Sequence, residues 1–313
     1  TGASTAAVSA GVVLPPQPPR VSSSANHDAL TTAGASGRWE EPKRSGIRER
    51  IPVSAPSDAA RSRFPPLAHW GELDGGRSGA SPWAMWKHAR VAVVMPAYLE
   101  GRMIVRALDA VPAYVDDIVV VDDGSPDDTS LRAGEVAQRD PRVRVLRHEL
   151  NRGVGAALVT GYEAAFSAGA DVAVVMAGDG QMDPADLPAL LSAVIDGGAG
   201  YAKGNRLAWP GARELMPPQR FAGNHVLSAL TRLATQTNVE DSQCGYCALH
   251  RDAAARLDLG DLWPRYGYPN DLLAQCAARG VRVVDVPVRP VYRDEISGIG
   301  WRHALFVVPF VLG

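Results

Sequence analysis

Apolar residues between positions 91 and 176 fall into short runs that alternate with stretches of helical spacing. The runs are rich in β-branched residues, as buried strands are, and they lie at 91–95, from 118, at 143–146 and at 172–176. Helical spacing is found from 104 to 111, where Pro112 ends the pattern, and again at 154–168. This alternation predicts right-handed βαβ units and an α/β fold with a mostly parallel sheet flanked by helices.

The pattern changes after residue 190. A short strand is predicted near 201–203, followed by a proline-containing loop and a helix at about 220–234. The stretch 242–251 predicts a further strand, the next helix is stopped by Gly280, and 281–292 predicts a strand with an extended exit. We therefore expect a second half that differs in character from the first.

The two ends of the chain differ in composition from the part between them. Residues 1–86 are rich in Ala, Ser, Gly, Pro and Arg without a sustained apolar period, so we predict a disordered leader. The predicted folded domain is 87–299, with a nucleotide-binding half at 87–200 and a second half at 201–299. The apolar segment 300–313 is too short to span a bilayer. We predict that it packs on the domain, with an interfacial helix as the alternative.

Charge and cysteine content narrow the function classes. The formal net charge of −2 gives no overall basic footprint, so nucleic acid is not an expected partner. Cys244 and Cys247 form a CxxC pair with His250 nearby, but no second ligand pair of matching spacing follows, and closed zinc sites take four ligands. Three cysteines also argue against a disulfide scaffold. We therefore predict neither zinc nor disulfides.

Acidic and polar residues follow three of the predicted strands. Open α/β sheets bind ligands at the carboxyl ends of their strands, so these residues are candidates for one common site. The three groups are Pro96, Ala97 and Tyr98 with Glu100; Asp122 with Asp123; and Asp179 with Gln181. Taken alone, Gly178 to Gln181 is equally consistent with an ordinary turn. The chain has no GxGxxG after its first strand and no P-loop motif, which disfavours a dinucleotide cofactor and a P-loop nucleotide.

Six motifs, taken in order, resemble those of family 2 glycosyltransferases. They are VVMPAYLE at 93–100, VVDDGSPDDT at 120–129, NRGVGAAL at 151–158, GDGQMDP at 178–184, GNR at 204–206 and SQCGYCALHR at 242–251. The chain looks most similar to the branch that contains dolichol-phosphate mannosyltransferase and bacterial polyprenyl-phosphate glycosyltransferases. The resemblance covers about residues 91–298. It implies a GT-A (Rossmann-like) fold, a nucleotide-sugar donor, Mg²⁺ or Mn²⁺, and inversion at the anomeric carbon.

The resemblance also implies a role for each matching residue. The donor nucleotide would be bound by Pro96, Ala97, Tyr98, Glu100, Asp122, Asp123 and Arg152. Asp179 and Gln181 would bind the metal, and the acceptor phosphate would be held by Arg206, Arg293 and Ser297. Asp179, Asp271 and Arg206 would be catalytic. A structural ion pair is the alternative for Arg206.

Two positions depart from the family pattern. Ala177 stands where the family often has the first acid of Asp-x-Asp, and Val154 stands where it often has lysine. The first change removes one metal ligand and leaves Asp179 and Gln181 with phosphate and water. Arg152 is close enough in sequence to replace the lysine.

The leading functional hypothesis is sugar transfer from a nucleotide-diphosphate sugar, of the GDP-mannose or UDP-glucose type, to a polyprenyl or dolichyl phosphate. This hypothesis implies peripheral membrane contact and a cytoplasmic location, or one at the cytoplasmic face of the membrane. A second hypothesis has a saccharide or small-molecule hydroxyl as acceptor, with Asp271 or Asp241 as the base. A third, motivated by Ala177 and Val154, is a catalytically silent nucleotide-sugar-binding protein.

Overall fold

The structure is a computed structural model, and it describes residues 88–292. The predicted leader, the apolar segment 300–313, Arg293 and Ser297 therefore lie outside the described residues. Within the described part, no helix is both long enough and apolar enough to cross a membrane.

A seven-stranded sheet forms the centre of the described region, in the order β3-β2-β1-β4-β6-β5-β7. Its strands are β1 Val91–Ala97, β2 Asp117–Asp122, β3 Val143–Arg147, β4 Val172–Val175, β5 Tyr201–Asn205, β6 Cys247–His250 and β7 Val283–Pro287. Strand β6 pairs antiparallel with both β4 and β5, whereas all other pairs are parallel. The predicted α/β fold with a mostly parallel sheet is thus confirmed.

Helices cover both faces of the sheet. They are α1 Ile104–Asp109, α2 Thr129–Arg139, α3 Val154–Ser167, α4 Leu187–Ile195, α5 Ala212–Leu215, α6 Pro218–Thr235, α7 Arg251–Ala254 and α8 Tyr268–Ala278. In β1, Val91, Val93 and Met95 pack with residues of α1, α2 and α4, while Ala92 and Val94 pack with residues of α3 and α8. Because side chains alternate across a strand, the all-apolar run of β1 is buried on both faces.

The stretch 242–251 forms less strand than its sequence predicts. Only Cys247–His250 is extended and paired, because the preceding residues turn towards the end of β5, where the carbonyl of Cys244 accepts a hydrogen bond from the buried Lys203 Nζ. A Cβ at Gly245 would lie 3.1 Å from Met182 Cε and 3.2 Å from Tyr268 Oη. The turn therefore brings the second half of the domain next to the segment that follows β4.

Candidate active site

The carboxyl ends of β1 and β2 lie side by side, with Ala97 opposite Asp122 in the register. Three backbone N–H groups of the loop after β1 donate to side chains of the turn after β2. Leu99 N donates to Ser125 Oγ (3.1 Å), Glu100 N to Thr129 Oγ1 (2.8 Å) and Gly101 N to Asp127 Oδ2 (3.2 Å). Leu99 has a φ of 61°, a left-handed conformation that is uncommon outside glycine. These hydrogen bonds fix the two predicted donor motifs relative to each other.

The turn after β4 reaches the same edge of the sheet. Gly178 N donates to Pro96 O at 3.4 Å. A Cβ at Gly178 would lie 3.5 Å from both Ala97 Cβ and Glu100 Cγ. The three clusters that follow β1, β2 and β4 are therefore brought together.

Asp122 is completely buried at the end of β2. Its Oδ1 accepts a hydrogen bond from Ser125 N at 2.9 Å. Its Oδ2 has Arg147 Nε at 3.4 Å but no hydrogen bond within the described residues. A buried carboxylate oxygen without a hydrogen bond is costly, so this atom is suited to accept one from a ligand N–H or O–H. Next to it at the rim, the Tyr98 side chain is 42% exposed.

Asp123 contacts residues 151–155, the segment NRGVG between β3 and α3 that we call the glycine loop. Its Oδ1 accepts from Arg152 N at 2.9 Å and lies 2.7 Å from His148 Nδ1, and its Oδ2 accepts from Gly153 N at 2.7 Å. Since the buried carboxylate already accepts three hydrogen bonds, Asp123 positions the glycine loop, and its predicted role in donor binding stays a prediction. The Arg152 side chain is exposed beside this loop.

His148 is a site residue that the sequence analysis missed. Its Nδ1 donates to Asp123 Oδ1, and its Nε2 lies 3.0 Å from Thr160 Oγ1 in α3. The imidazole therefore links the carboxylate that holds the glycine loop to the helix that follows this loop. No motif marks His148 in the sequence, and the only signal available was a histidine directly after the β3 run.

The glycine loop is packed against a segment of the second half. Gly153 has a φ of 100°, and a Cβ there would lie 2.3 Å from Pro264 O. At Gly155, a Cβ would lie 2.1 Å from Trp263 O. Asp271, at the start of α8, is buried and accepts a hydrogen bond from Trp263 N at 2.8 Å. The observed contact makes Asp271 a support for this packing, and its catalytic role stays a prediction.

Asp179 and Gln181 lie in a compact turn. Asp179 Oδ1 accepts from Gln181 N at 2.9 Å, and Gly180 between them has a φ of 70°. In the described part of the chain, no group of three or more His, Cys, Asp or Glu side chains could hold a metal ion. The turn contains one carboxylate and one side-chain amide, and such oxygen ligands suit Mg²⁺ or Mn²⁺ when phosphate and water supply the others.

Arg206 forms a buried ion pair with Asp241. Nε and Nη2 of Arg206 donate to the two carboxylate oxygens at 2.8 and 3.0 Å, and the backbone N of Arg206 donates at 3.1 Å. Burial raises the pKa of Asp241, but the Arg206 charge and hydrogen bonds outweigh this effect, so the net pKa is lowered. This edge of the guanidinium is therefore not available for bidentate phosphate binding. The Arg206 side chain is 20% exposed, and its acceptor role through the remaining N–H groups stays a prediction.

The sequence of this chain is similar to a known family pattern and to known proteins. The pattern of glycosyl transferase family 2 matches residues 92–258. The polyprenol monophosphomannose synthase of Mycolicibacterium smegmatis is 32% identical, over 76% of this chain and 92% of that protein. A UDP-N-acetylglucosamine–dolichyl-phosphate N-acetylglucosaminyltransferase of Methanococcus voltae is 30% identical, over 65% of this chain and 86% of that protein.

Among solved structures, the chain is similar to the glucosyl-3-phosphoglycerate synthase of Mycobacterium tuberculosis, with a TM-score of 0.55. That protein was crystallised with Mn²⁺, UDP-glucose and phosphoglyceric acid. It is 21% identical, and the match covers 76% of this chain and 86% of that one. At this identity the likeness establishes the GT-A fold alone. The matched family pattern, the relatives and the fold together show that the chain belongs to glycosyl transferase family 2.

Proposed function

We propose that the chain transfers a sugar, with inversion, from a nucleotide-diphosphate sugar to a polyprenyl or dolichyl phosphate. The observation that carries the proposal is the meeting of the three polar clusters after β1, β2 and β4 at one edge of the sheet. The names of two relatives support a lipid-phosphate acceptor, because one contains a polyprenol and the other a dolichyl phosphate.

On the donor side, the buried Asp122 Oδ2 would accept a hydrogen bond from an N–H of the base or from a ribose hydroxyl. The exposed ring of Tyr98 would lie against the nucleoside. GDP-mannose and UDP-glucose types of donor both fit these contacts. The relatives support no single choice, since one is named for mannose and the other for UDP-N-acetylglucosamine.

Asp179 and Gln181 would hold Mg²⁺ or Mn²⁺ together with the donor diphosphate. The cation, when bound, neutralises negative charge that develops on the leaving diphosphate. The Gln181 N–H holds Asp179 Oδ1 in place (2.9 Å), so the orientation of the carboxylate is set by the turn. The turn would thus preorganise Asp179 to hold the cation beside the leaving diphosphate, and preorganised electrostatic stabilisation is usually the largest single contribution to rate.

The acceptor phosphate would act as the nucleophile without a strong general base. A phosphate monoester has a second pKa of about 6, so its attacking oxygen is already anionic at neutral pH. The remaining N–H groups of Arg206, together with Arg293, would position the phosphate. Of the two bases considered for a hydroxyl acceptor, Asp241 is poorly placed to take a proton, because its completely buried carboxylate is paired with Arg206.

The proposal is tested by incubating the chain with radiolabelled nucleotide sugars and Mn²⁺, and with either polyprenyl phosphate or the matched polyprenol. We expect label in the organic phase only with the phosphate. Label transferred equally to the polyprenol would exclude the phosphate as nucleophile. An absence of transfer from every donor, with donor binding retained, would favour a catalytically silent binding protein.

Restoring the missing acid should strengthen metal binding. Ala177 and Gly180 line a cavity that also contacts Arg106 of α1, so a longer side chain has space at position 177. We expect Ala177→Asp to lower the Mn²⁺ concentration for half-maximal transfer by about tenfold, because a second carboxylate increases ligand charge. The measurement is a Mn²⁺ titration after EDTA treatment, which should itself suppress transfer. Ala177→Asn is the matched uncharged control, and full turnover in EDTA would remove the metal from the account.

His148 should affect donor binding through the glycine loop. His148→Phe removes both hydrogen bonds of the ring, and we expect the KM for the donor to rise by about tenfold with a smaller change in kcat. His148→Asn keeps a donor near Asp123 and should recover most of the loss. A purely structural role would instead lower the unfolding midpoint of both variants and leave the KM unchanged.

A further inference from the structure

Helix α6 carries an exposed apolar stripe. Val226, Leu230 and Leu233 are 60%, 45% and 80% exposed. Their spacing of four and then three residues places them on one face of the helix. A helix packed on a globular domain normally has its apolar face inward, so the outward stripe indicates a surface that contacts something apolar.

The opposite face of α6 is polar and firmly held. Its buried residues are Ser228, Thr231 and Thr235. Thr231 Oγ1 donates to Asn270 Oδ1 of α8 at 2.9 Å, and Ser228 Oγ accepts from Ser242 N at 2.9 Å. Rolling the helix to bury its leucines would break these buried hydrogen bonds, which is costly. The outward direction of the stripe is therefore fixed by the packing.

The charge of α6 is suited to an anionic surface. The helix contains Arg220 and Arg232 but no aspartate or glutamate, although the whole chain has a formal net charge of −2. At 3.6 residues per turn, the two arginines lie on opposite flanks, between the apolar and the buried face. Interfacial helices that bind anionic lipid have this combination of an apolar stripe and basic flanks.

The helix also begins next to the proposed acceptor side. The Arg220 guanidinium lies 5.2 Å from the centroid of the Tyr292 ring, one residue before Arg293. Burial raises the pKa of the Tyr292 hydroxyl, and the nearby charge of Arg206 opposes this rise. A surface that α6 contacts would therefore lie close to Arg206, one of the two arginines proposed for the acceptor phosphate.

We propose that the apolar stripe of α6 docks on an anionic lipid surface, and that this contact brings the acceptor side of the domain to the phosphate of its lipid substrate. The inference rests on the proposed lipid-phosphate acceptor. It adds that α6 is the part of the domain that contacts the lipid surface.

The test is co-sedimentation of the full chain with vesicles of phosphatidylcholine alone or with phosphatidylglycerol added. We expect wild type to bind the anionic vesicles, and Leu230→Gln/Leu233→Gln to lower the partition coefficient by at least about tenfold. Leu131→Gln/Leu150→Gln is the matched control, because these leucines are 66% and 77% exposed away from α6, and it should bind as wild type does. No nucleotide sugar or polyprenyl phosphate is present, so failure of the transfer reaction leaves this result unaffected.

Three outcomes would overturn the proposal. The first is a wild type that does not bind the anionic vesicles, and the second is an α6 variant that binds them as well as wild type. The third is an α6 variant with a clearly lower urea midpoint than the control variant. That loss of stability would show that another part of the chain, such as 301–312, covers the stripe.

Discussion

Asp179→Asn is expected to lower kcat for sugar transfer by at least about 10²- to 10³-fold, because the neutral amide would hold the divalent cation less well and so weaken the stabilisation of the charge on the leaving diphosphate. The amide keeps the size of the side chain and an oxygen that can accept from Gln181 N, which is 2.9 Å from Asp179 Oδ1 in wild type. The turn should therefore keep its shape while the negative charge is lost. The measurement is kcat with saturating donor and Mn²⁺, together with the urea midpoint as a control for folding.

Asp183→Asn is the matched control for this variant. Asp183 lies in the segment after the same turn, where its Oδ1 accepts from Ala185 N at 2.9 Å and caps a short 3-10 helix. An asparagine is also a good helix cap, so we expect nearly wild-type transfer. Comparable activity of Asp179→Asn and Asp183→Asn would contradict the role of Asp179 at the leaving group.

Asp241→Asn is expected to destabilise the domain by about 3–5 kcal/mol, because it leaves the Arg206 guanidinium, on a side chain only 20% exposed, without its counter-charge. Urea unfolding at neutral pH measures the change. Asp109→Asn is the matched control: its partner Arg139 is at 2.6 Å, but both side chains are about half exposed, so the loss should stay below about 1 kcal/mol. A cost within about 1 kcal/mol for Asp241→Asn would contradict the importance of the buried pair.

The same pair predicts a pH dependence. The pKa of Asp241 is lowered in the folded state, so its contribution to stability is fully present above the unfolded pKa and is lost as pH falls through the folded pKa. The free energy of unfolding of wild type should therefore fall below about pH 4, where the unfolded carboxylate begins to protonate. The Asp241→Asn variant should lack this part of the decrease.

A double variant separates the two roles of Arg206. Replacing both partners of a buried ion pair by apolar residues is often neutral for stability, so Arg206→Met/Asp241→Leu should recover much of the stability lost in Asp241→Asn. It should not recover transfer, because no guanidinium remains for the acceptor phosphate. Recovery of both stability and transfer would show that Arg206 has only a structural role, as a partner in the ion pair with Asp241.

The first half of the fold could be predicted from local sequence. The apolar runs that became β1 to β4 are short and rich in β-branched residues, and this combination favours strands over buried helices. The strand β6 could not be placed in this way. Its position between β4 and β5 depends on pairs such as Val175 with Cys247 and Lys203 with Cys247, which are set by long-range contacts.

Site residues at the ends of strands could be predicted from the sequence. Site residues whose role depends on tertiary contacts could not. Asp122 ends one β-branched run and the turn with Asp179 follows another, so their meeting at one edge followed from parallel pairing. The role of Asp123 depends on His148, 25 positions away, and on two N–H groups of the glycine loop. The sequence also did not predict that α6 buries its polar face and exposes its apolar face. Its threonines find their hydrogen-bond partners only in the folded domain.

The central claim is that a lipid phosphate is the acceptor, and one competition experiment tests it most directly. Polyprenyl phosphate and 3-phosphoglycerate are offered together at equal concentration with a radiolabelled nucleotide sugar and Mn²⁺, and label is counted in the organic and aqueous products. We predict that nearly all transferred label enters the organic phase, in an acid-labile glycosyl phosphate. Label transferred mainly to a water-soluble glycoside would contradict it.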